Sequence, residues 1–381
     1  MESQNVVYRK LQEHMDHMPV GFPVSRSGLD IEILRELFTE KEAEIAIELS
    51  MLPESLDRIY PRLKKLGYTK DEAGSILDTM SGKGLIAAGR LLSSNTNNKL
   101  YSSAPFAVGI FELQQSILKQ NVSKKILDYS LETFKDEFFK KDTPVQMRTI
   151  PIGKSVKREN YTATYEDMRQ IISNTKGPIV LLNCVCREAH DLTGQPCRTS
   201  ELRETCIALK NIALSCIDMG KGRIVSKDEV MELLDKFDDA GFVLQPENNE
   251  NPHFICSCCG DCCGVLTMAK KFPVPAEYYS SNYYAVVDKD LCTGCSTCAG
   301  RCRMDAITIE DNIAVVDTGR CIGCGLCTSK CPSEAVTLYN KEKIKIPAKS
   351  HGELYKNILR NKIGTFGFIK VAAKYMLGMK V

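Results

Sequence analysis

Two stretches near the carboxyl end decide how this chain is read: CTGCSTCAGRC (Cys292–Cys302) and, 29 residues on, CIGCGLCTSKCP (Cys321–Pro332). Both carry the spacing C-x2-C-x2-C-x3-C, and their continuations align as well, DAITI (305–309) against EAVTL (334–338). A doubled unit of this length predicts a pseudo-twofold module over residues 283–340, built from two short supersecondary halves. Two-residue spacings let three thiolates of one loop converge on one face of an iron–sulfur cluster, while the fourth Cys points toward the other half. Thiolate suits such iron because it is a soft, charged ligand. Gly294, Gly323 and Gly325 leave room for the loops to wrap closely and aim backbone N–H groups at sulfur.

This tandem spacing resembles the bacterial two-[4Fe-4S] ferredoxin module. The resemblance implies that Cys292, Cys295, Cys298 and Cys331 hold one [4Fe-4S] cluster, and that Cys321, Cys324, Cys327 and Cys302 hold the second. It also implies single-electron transfer, with potentials somewhere in the range of about −700 to +450 mV. One residue departs from the family pattern: Arg303 stands where a Pro is usual, a position that shapes the turn and does not ligate iron. Zinc in a ribbon fold is the rival occupant, and eight cysteines in tandem argue against it.

Upstream, residues 177–275 hold the other ten of the 18 cysteines. The run IVLLNCVC after Gly177-Pro178 and the run HFIC (253–256) read as short buried strands. Between them a helix is expected from Glu201 to about Met219. A second is expected after Ser226, whose pairing with Glu229 makes a capping box, and before the stop at Gly241. That order implies an α/β unit. If the two strands are neighbours, Cys184, Cys186, Cys256, Cys258 and Cys259 leave one sheet edge together. Cys197 then lies in a loop and Cys206 two turns into the helix, with Cys262 and Cys263 just beyond in CSCCGDCCG. These nine thiols are candidates for one or two additional clusters, a structural zinc site, or a redox-active dithiol or catalytic thiol site. Cys216 reads as a small buried apolar residue. His190 and His253 read as neighbours of the thiols and not as ligands. Arg187 is read either as a partner of thiolate charge or as half of a surface salt bridge. Tandem CCG also resembles the cysteine-rich domains of heterodisulfide-reductase-like subunits, although the spacing differs.

Farther out, residues 1–110 suggest helices ending in a hairpin. Thr39 with Glu42 and Thr69 with Glu72 are capping boxes, Pro53 opens a helix that stops at Gly67, and GLIAAGRLLSSNTNNKLYSSAP alternates around an Asn/Ser-rich tip. Three helices and a β-wing resemble the winged-helix fold. Residues 1–100 carry 13 Lys+Arg against 15 Asp+Glu, a net of −2. Phosphate contacts supply most DNA affinity, so this balance favours a protein-docking role over nucleic-acid binding. Arg90 and Lys99 in the wing are the residues that keep a DNA reading open. Residues 111–176 read as a helical connector, with one amphipathic helix from Phe111 to about Lys141.

Residues 341–381 hold ten Lys+Arg against two Asp+Glu, a net of +8 in a chain whose overall net charge is +2. Leu354, Ile358, Ile369, Ala373, Met376 and Leu377 fall at helical spacing, broken by Gly364 and Gly367. Such a basic amphipathic tail suits an anionic membrane surface or an acidic partner, or else a helix laid over the ferredoxin module. No signal-peptide h-region and no run of 18 apolar residues occurs, so the expectation is a cytoplasmic protein with reduced or metal-bound thiols, able to associate with the membrane's cytoplasmic face.

The whole order, winged helix, cysteine-rich domain, ferredoxin module and tail, resembles a group of large multidomain ferredoxins of anaerobes. The expected fold class is therefore α+β multidomain. No G-x-S-x-G, H-E-x-x-H, P-loop or strand-following G-x-G-x-x-G occurs. The leading expectation is an iron–sulfur electron-transfer protein, a subunit or partner of an anaerobic redox enzyme complex. The alternatives are a redox-sensing transcription regulator that uses the winged helix, and an oxidoreductase with its chemistry at the middle site.

Overall fold

The computed structural model describes residues 2–90, 92, 99–152 and 164–381 and shows a mixed helix-and-sheet protein. Helix α1 (Glu2–Asp16) forms from a terminus whose scattered charges hide its pattern: Tyr8, Leu11 and Met15 recur at three- and four-residue intervals and are buried. Helices α2 (Leu29–Leu37) and α3 (Glu40–Ile47) pack beside it. At the start of α3, Thr39 Oγ1 accepts the Glu42 N–H at 3.3 Å while the Glu42 carboxylate accepts the Thr39 N–H at 2.9 Å. Such a closed box stabilises a helix by about 1 kcal/mol. Next come β1 (Glu54–Ser55), α4 (Leu56–Lys65), α5 (Lys70–Gly82), β2 (Ala87–Gly89) and β3 (Leu100–Ser102), with the strands in antiparallel order β1-β3-β2. Helix α4 starts at Leu56 and not at Pro53, because Glu54 and Ser55 are taken into the sheet opposite Tyr101 and Leu100. The Asn/Ser-rich tip of the β2–β3 hairpin, Ser93–Asn98, lies outside the described residues.

The connector is not one helix. A single turn, α6 (Phe111–Leu113), ends where the Gln114 amide turns inward and donates to the Lys83 and Gly84 carbonyls at 3.0 and 3.2 Å. The chain then passes left-handed Ser116 and resumes as α7 (Gln120–Tyr129), which runs through a π turn at Ser130–Phe134 into α8 (Lys135–Phe138). Beyond it, Met147 and Ile150 bridge to Glu247 and Leu244.

After α9 (Met168–Asn174) the cysteine-rich region forms β4 (Ile179–Asn183), α10 (Val185–Leu192), β5 (Glu204–Leu209), α11 (Lys210–Asp218), β6 (Arg223–Ile224), α12 (Lys227–Asp239), β7 (Val243–Pro246) and β8 (Phe254–Cys258). The sheet order is β6-β4-β5-β8-β7, antiparallel throughout, where the element pattern had implied an α/β unit. Two expectations fail for one reason. The segment Glu204–Leu209 is a central strand and not the first half of a helix, so Cys206 sits on β5 and not on α11, and β5 separates β4 from β8. Thr205, Cys206 and Ile207 suit a strand buried on both sides, and that pairing outweighs the helical spacing that runs on into α11. The sequence CVC likewise opens α10 and does not extend β4, with Cys184 as its N-terminal flanking residue.

Helices α13 (Gly264–Ala269) and α14 (Pro275–Tyr278) lead into the last module. There β9 (Tyr283–Val287) pairs with β12 (Val336–Asn340), and β10 (Ile307–Glu310) with β11 (Ile313–Val316), with the short helix α15 (Thr297–Arg301) between. The basic tail forms α16 (His351–Met376), bent at Gly364, whose φ is +71°. It does not lie over the ferredoxin module. Lys362 donates to the Asp16 and Met18 carbonyls, and the Val381 carbonyl accepts from Ser50 and Met51, so the tail returns to the N-terminal helices. No helix among the described residues is long and apolar enough to cross a membrane.

One apolar cluster runs from α1 through the connector to Val243, Phe254 and Cys258 on the sheet, and on to Ile322 and Leu326 in the second cysteine loop. A second cluster fills the opposite sheet face under α9 and α12.

Candidate metal centres

The two cysteine loops of the C-terminal module exchange contacts symmetrically. The Ala314 N–H donates to Cys292 Sγ at 3.4 Å, and 29 residues earlier the Ala285 N–H donates to Cys321 Sγ at 3.5 Å. Gly294 and Gly323 obey the same relation. At φ +67° and +64° they lie so close to the Asn312 and Tyr283 carbonyls that a Cβ would collide with them. Each loop therefore packs on a strand of the other half. A small cavity is lined by Cys292, Cys295, Cys298 and Cys331, and another by Cys302, Cys321, Cys324 and Cys327. These quartets fit [4Fe-4S] cubanes on chemistry and on space: four thiols, N–H donors aimed at sulfur, and a glycine cradle. Cys295 is exposed, whereas burial pushes the Cys324 thiol up to about 12. The first quartet thus faces solvent and the second faces the body of the protein.

Arg303 fastens the module to that body. Its guanidinium donates to the Gly241 and Ala240 carbonyls at 2.7 and 3.2 Å, and Arg301 donates to the Asp238 carbonyl at 2.7 Å. Cations thus meet the carbonyl end of α12, where the helix dipole favours them.

In the cysteine-rich region β4 and β8 both run toward one end of the sheet, and antiparallel β5 starts there, so the thiols gather at that end. The sheet then sorts them by face. On one side lie Cys184, Cys186, Cys206, Cys256, Cys258 and Cys263. Cys206 stands directly opposite Cys256, and neighbouring thiols act on one another's protons: Cys184 with Cys186, Cys206 with Cys256, and Cys258 with both Cys256 and Cys263. Cys256 and Cys263 together hold the Cys258 thiol well below its ordinary range. On the other side lie Cys197, Cys259 and Cys262, joined by Asp261, with all four ligand atoms within 4.8 Å of one another. The neighbouring Cys262 thiol lowers Cys259 to about 6. Cys216 is buried on α11, packed behind Cys206, and burial pushes its thiol up to about 12.

Arg187 lies between the two sets and is fully buried. It donates to the Thr205 hydroxyl and to the Ser257 carbonyl, stacks 4.1 Å over Phe242, and meets no carboxylate among the described residues. Burial works against its charge, but Cys184, Cys259, Cys197 and Cys258 hold its pKa above the usual value. A guanidinium cannot give up its proton, so its buried charge requires anionic sulfur around it. The surface salt-bridge reading is thereby excluded.

Sequence reasoning missed that Asp261 joins this group and also missed the trio Glu247, His253 and His351, whose ligand atoms likewise lie within 4.8 Å of one another. His351 Nδ1 lies 2.5 Å from Glu247 Oε1, the His253 backbone N–H donates to Oε2, and the two imidazoles stack at 4.9 Å. Both carboxylate oxygens are used, so the trio clamps α16 onto the β7–β8 connection. His190 lies half-buried near Asp261.

Residues 285–338 match the family model of the 4Fe-4S dicluster domain. No curated protein matches the chain. The C-terminal part is therefore an iron–sulfur, ferredoxin-like module of the electron-transfer kind.

Proposed function

We propose that the chain is an electron relay in which the dicluster module passes single electrons to or from a further iron–sulfur centre. That centre is held by the six-thiol group of the sheet, in which Cys258 and Cys263 are buried and the other four half-buried. The observation that carries this reading is the contact between the regions. Gly260, beside Cys259, lies against the Arg303 backbone, beside Cys302, so closely that a Cβ would press on it. Tyr279, fully buried, feels the charge of Cys263 and Cys258 on one side and of Cys324 on the other. The quartet with exposed Cys295 would receive the electron, and the Cys324 quartet, packed against the body of the protein, would hand it inward.

The N-terminal helices with sheet β1-β3-β2 resemble a winged helix and serve in this reading as a docking unit within a redox complex of the cytoplasm. The cations that would favour DNA are already used: Arg90 pairs with Asp218 at 2.5 Å and Lys99 with Asp78 at 2.6 Å. Beyond Gly364, α16 leaves Phe366, Ile369 and Met376 exposed among lysines, which suits contact with an anionic membrane surface or with the acidic face of a redox partner.

The test is iron and acid-labile sulfide in anaerobically purified protein. The relay expects about twelve iron per chain, three cubanes of four, and a third reduced centre coupled magnetically to the module beyond the coupling of its own two clusters. About eight iron per chain overturns the inner centre.

One observation favours a second reading, an oxidoreductase at the middle site. A largely apolar cavity reaches Cys206 and Cys256 and is bordered by the Glu112 side chain and the left-handed turn at Val108. A small molecule that perturbs the spectrum of the reduced inner centre supports it, and insensitivity to every added ligand removes it.

A further inference from the structure

Cys197, Cys259, Cys262 and Asp261 form a tighter group than any quartet in the ferredoxin module. Their ligand atoms all lie within 4.8 Å of one another, and no three ferredoxin cysteines approach so closely among the described residues. Span reports the guest. Thiolates around one tetrahedral zinc, at Zn–S of about 2.3 Å, stand about 3.8 Å apart, whereas thiolates on the corners of a cubane stand wider. We propose that these four residues hold a single zinc ion, separate from the six-thiol group on the other face of the sheet.

The donor set suits that ion. Cys259 and Cys262 have the two-residue spacing common in zinc sites, Cys197 comes from a distant loop, and a carboxylate completes the tetrahedron. Asp261 is held in place from behind: the Arg198 N–H donates to Oδ2 at 2.7 Å and the Thr199 hydroxyl to Oδ1 at 2.9 Å. Such outer bonds orient a metal ligand. Three thiolates and a carboxylate around a dication leave a net charge of −2, and Arg187, which feels both Cys197 and Cys259, answers part of it. The ion would pin the loop between α10 and β5, which has no regular structure of its own, against the end of β8.

The experiment uses full-length protein prepared without oxygen. About one zinc per chain is expected, with an X-ray absorption shell of three sulfurs at about 2.3 Å and one oxygen at about 2.0–2.2 Å. Cys197→Ser and Cys259→Ser should lose the zinc and keep all the iron, and Cys184→Ser should keep the zinc. Asp261→Asn should weaken zinc binding at least about tenfold. Absence of zinc, a four-sulfur shell, or loss of iron from Cys197→Ser overturns the proposal. Should the serine variants not fold, the absorption shell of the unaltered protein decides alone. The relay stands or falls on iron count and magnetic coupling, so the two failures are distinguishable.

Discussion

The ferredoxin module and the cysteine-rich sheet each gather thiols, but by opposite routes. In the module, three ligands of each quartet come from one loop of seven residues, and the fourth crosses from the other half by a symmetry that Gly294, Gly323, Ala285 and Ala314 repeat. In the sheet, Cys184, Cys197, Cys206 and the Cys256–Cys263 run arrive from separate elements; strand alternation puts Cys206, Cys256 and Cys258 on one face, and the loops at the strand ends carry the others to theirs. The first arrangement is local and needs its guest to fold. The second is imposed by a sheet that has its own apolar core, and it needs a buried cation, Arg187, to hold thiolate charge together.

The largest effect should come from stripping the metal. The module's own core is small, built on Tyr283, Ile307, Val336, Leu338 and a few alanines and cysteines. Domains with so little apolar burial rely on their metal for folding. Oxidative chelation should abolish amide protection in β10 and β11 while β4 and β5, packed between two clusters of apolar side chains, stay protected. Hydrogen exchange read by mass spectrometry checks this, and equal loss in both regions breaks the contrast.

Next in size is Arg187→Met. Removing one side of a buried charge pairing typically costs about 3–5 kcal/mol. The variant should lose metal from the sheet region and keep the dicluster spectrum unchanged. Metal analysis alongside the reduced spectrum measures both, and full retention of every metal would show that the thiols need no counter-charge.

The same contrast explains what was legible in the sequence. The module could be read in advance because its ligands are encoded by spacing within a loop and by a repeat that displays itself. The capping boxes at Thr39 and Thr69 were equally readable, since their partners lie three residues away. What failed was non-local. Nothing near Cys206 announces that β5 will insert between β4 and β8, because the partners that make it a strand, Leu182 and Cys256, lie far along the chain. Asp261 as a ligand and Arg187 as a buried cation were hidden for the same reason: each acquires its role only when the faces of the sheet are known. The tail's return to the N-terminal helices depends on Lys362 and Val381 finding carbonyls and donors more than three hundred residues away.

A smaller effect belongs to the joint between the regions. Arg303→Ala removes two bonds to the end of α12 and should loosen the module by about 1–2 kcal/mol. The clusters should remain, and the coupling between the module and the inner centre should weaken. Arg303→Pro restores the residue usual in ferredoxins and should weaken it in the same way. An unchanged coupling in both variants would mean that the apolar contacts of Ile322 and Leu326 suffice to seat the module.

The smallest effect is a pH dependence confined to one region. Burial raises the Glu112 carboxyl to about 7, against an ordinary value near 4.5, and its charge acts on Cys186. With the folded pKa above the unfolded one, the folded state holds the proton more tightly. Stability contributed by this group therefore falls as pH rises from about 4.5 to about 7 and is level above that. Across pH 6 to 8 the carboxyl ionises, places negative charge beside the inner thiolates and makes an added electron less welcome. The inner centre's potential should thus fall with pH, by at most about 59 mV per unit for one electron linked to one proton. The dicluster potentials should stay flat, since no carboxylate is buried among their ligands in the described structure. Glu112→Gln should flatten the inner titration without altering its value at low pH. Potentiometry followed by low-temperature paramagnetic resonance resolves the two regions, and a slope that survives the substitution assigns the proton to another group.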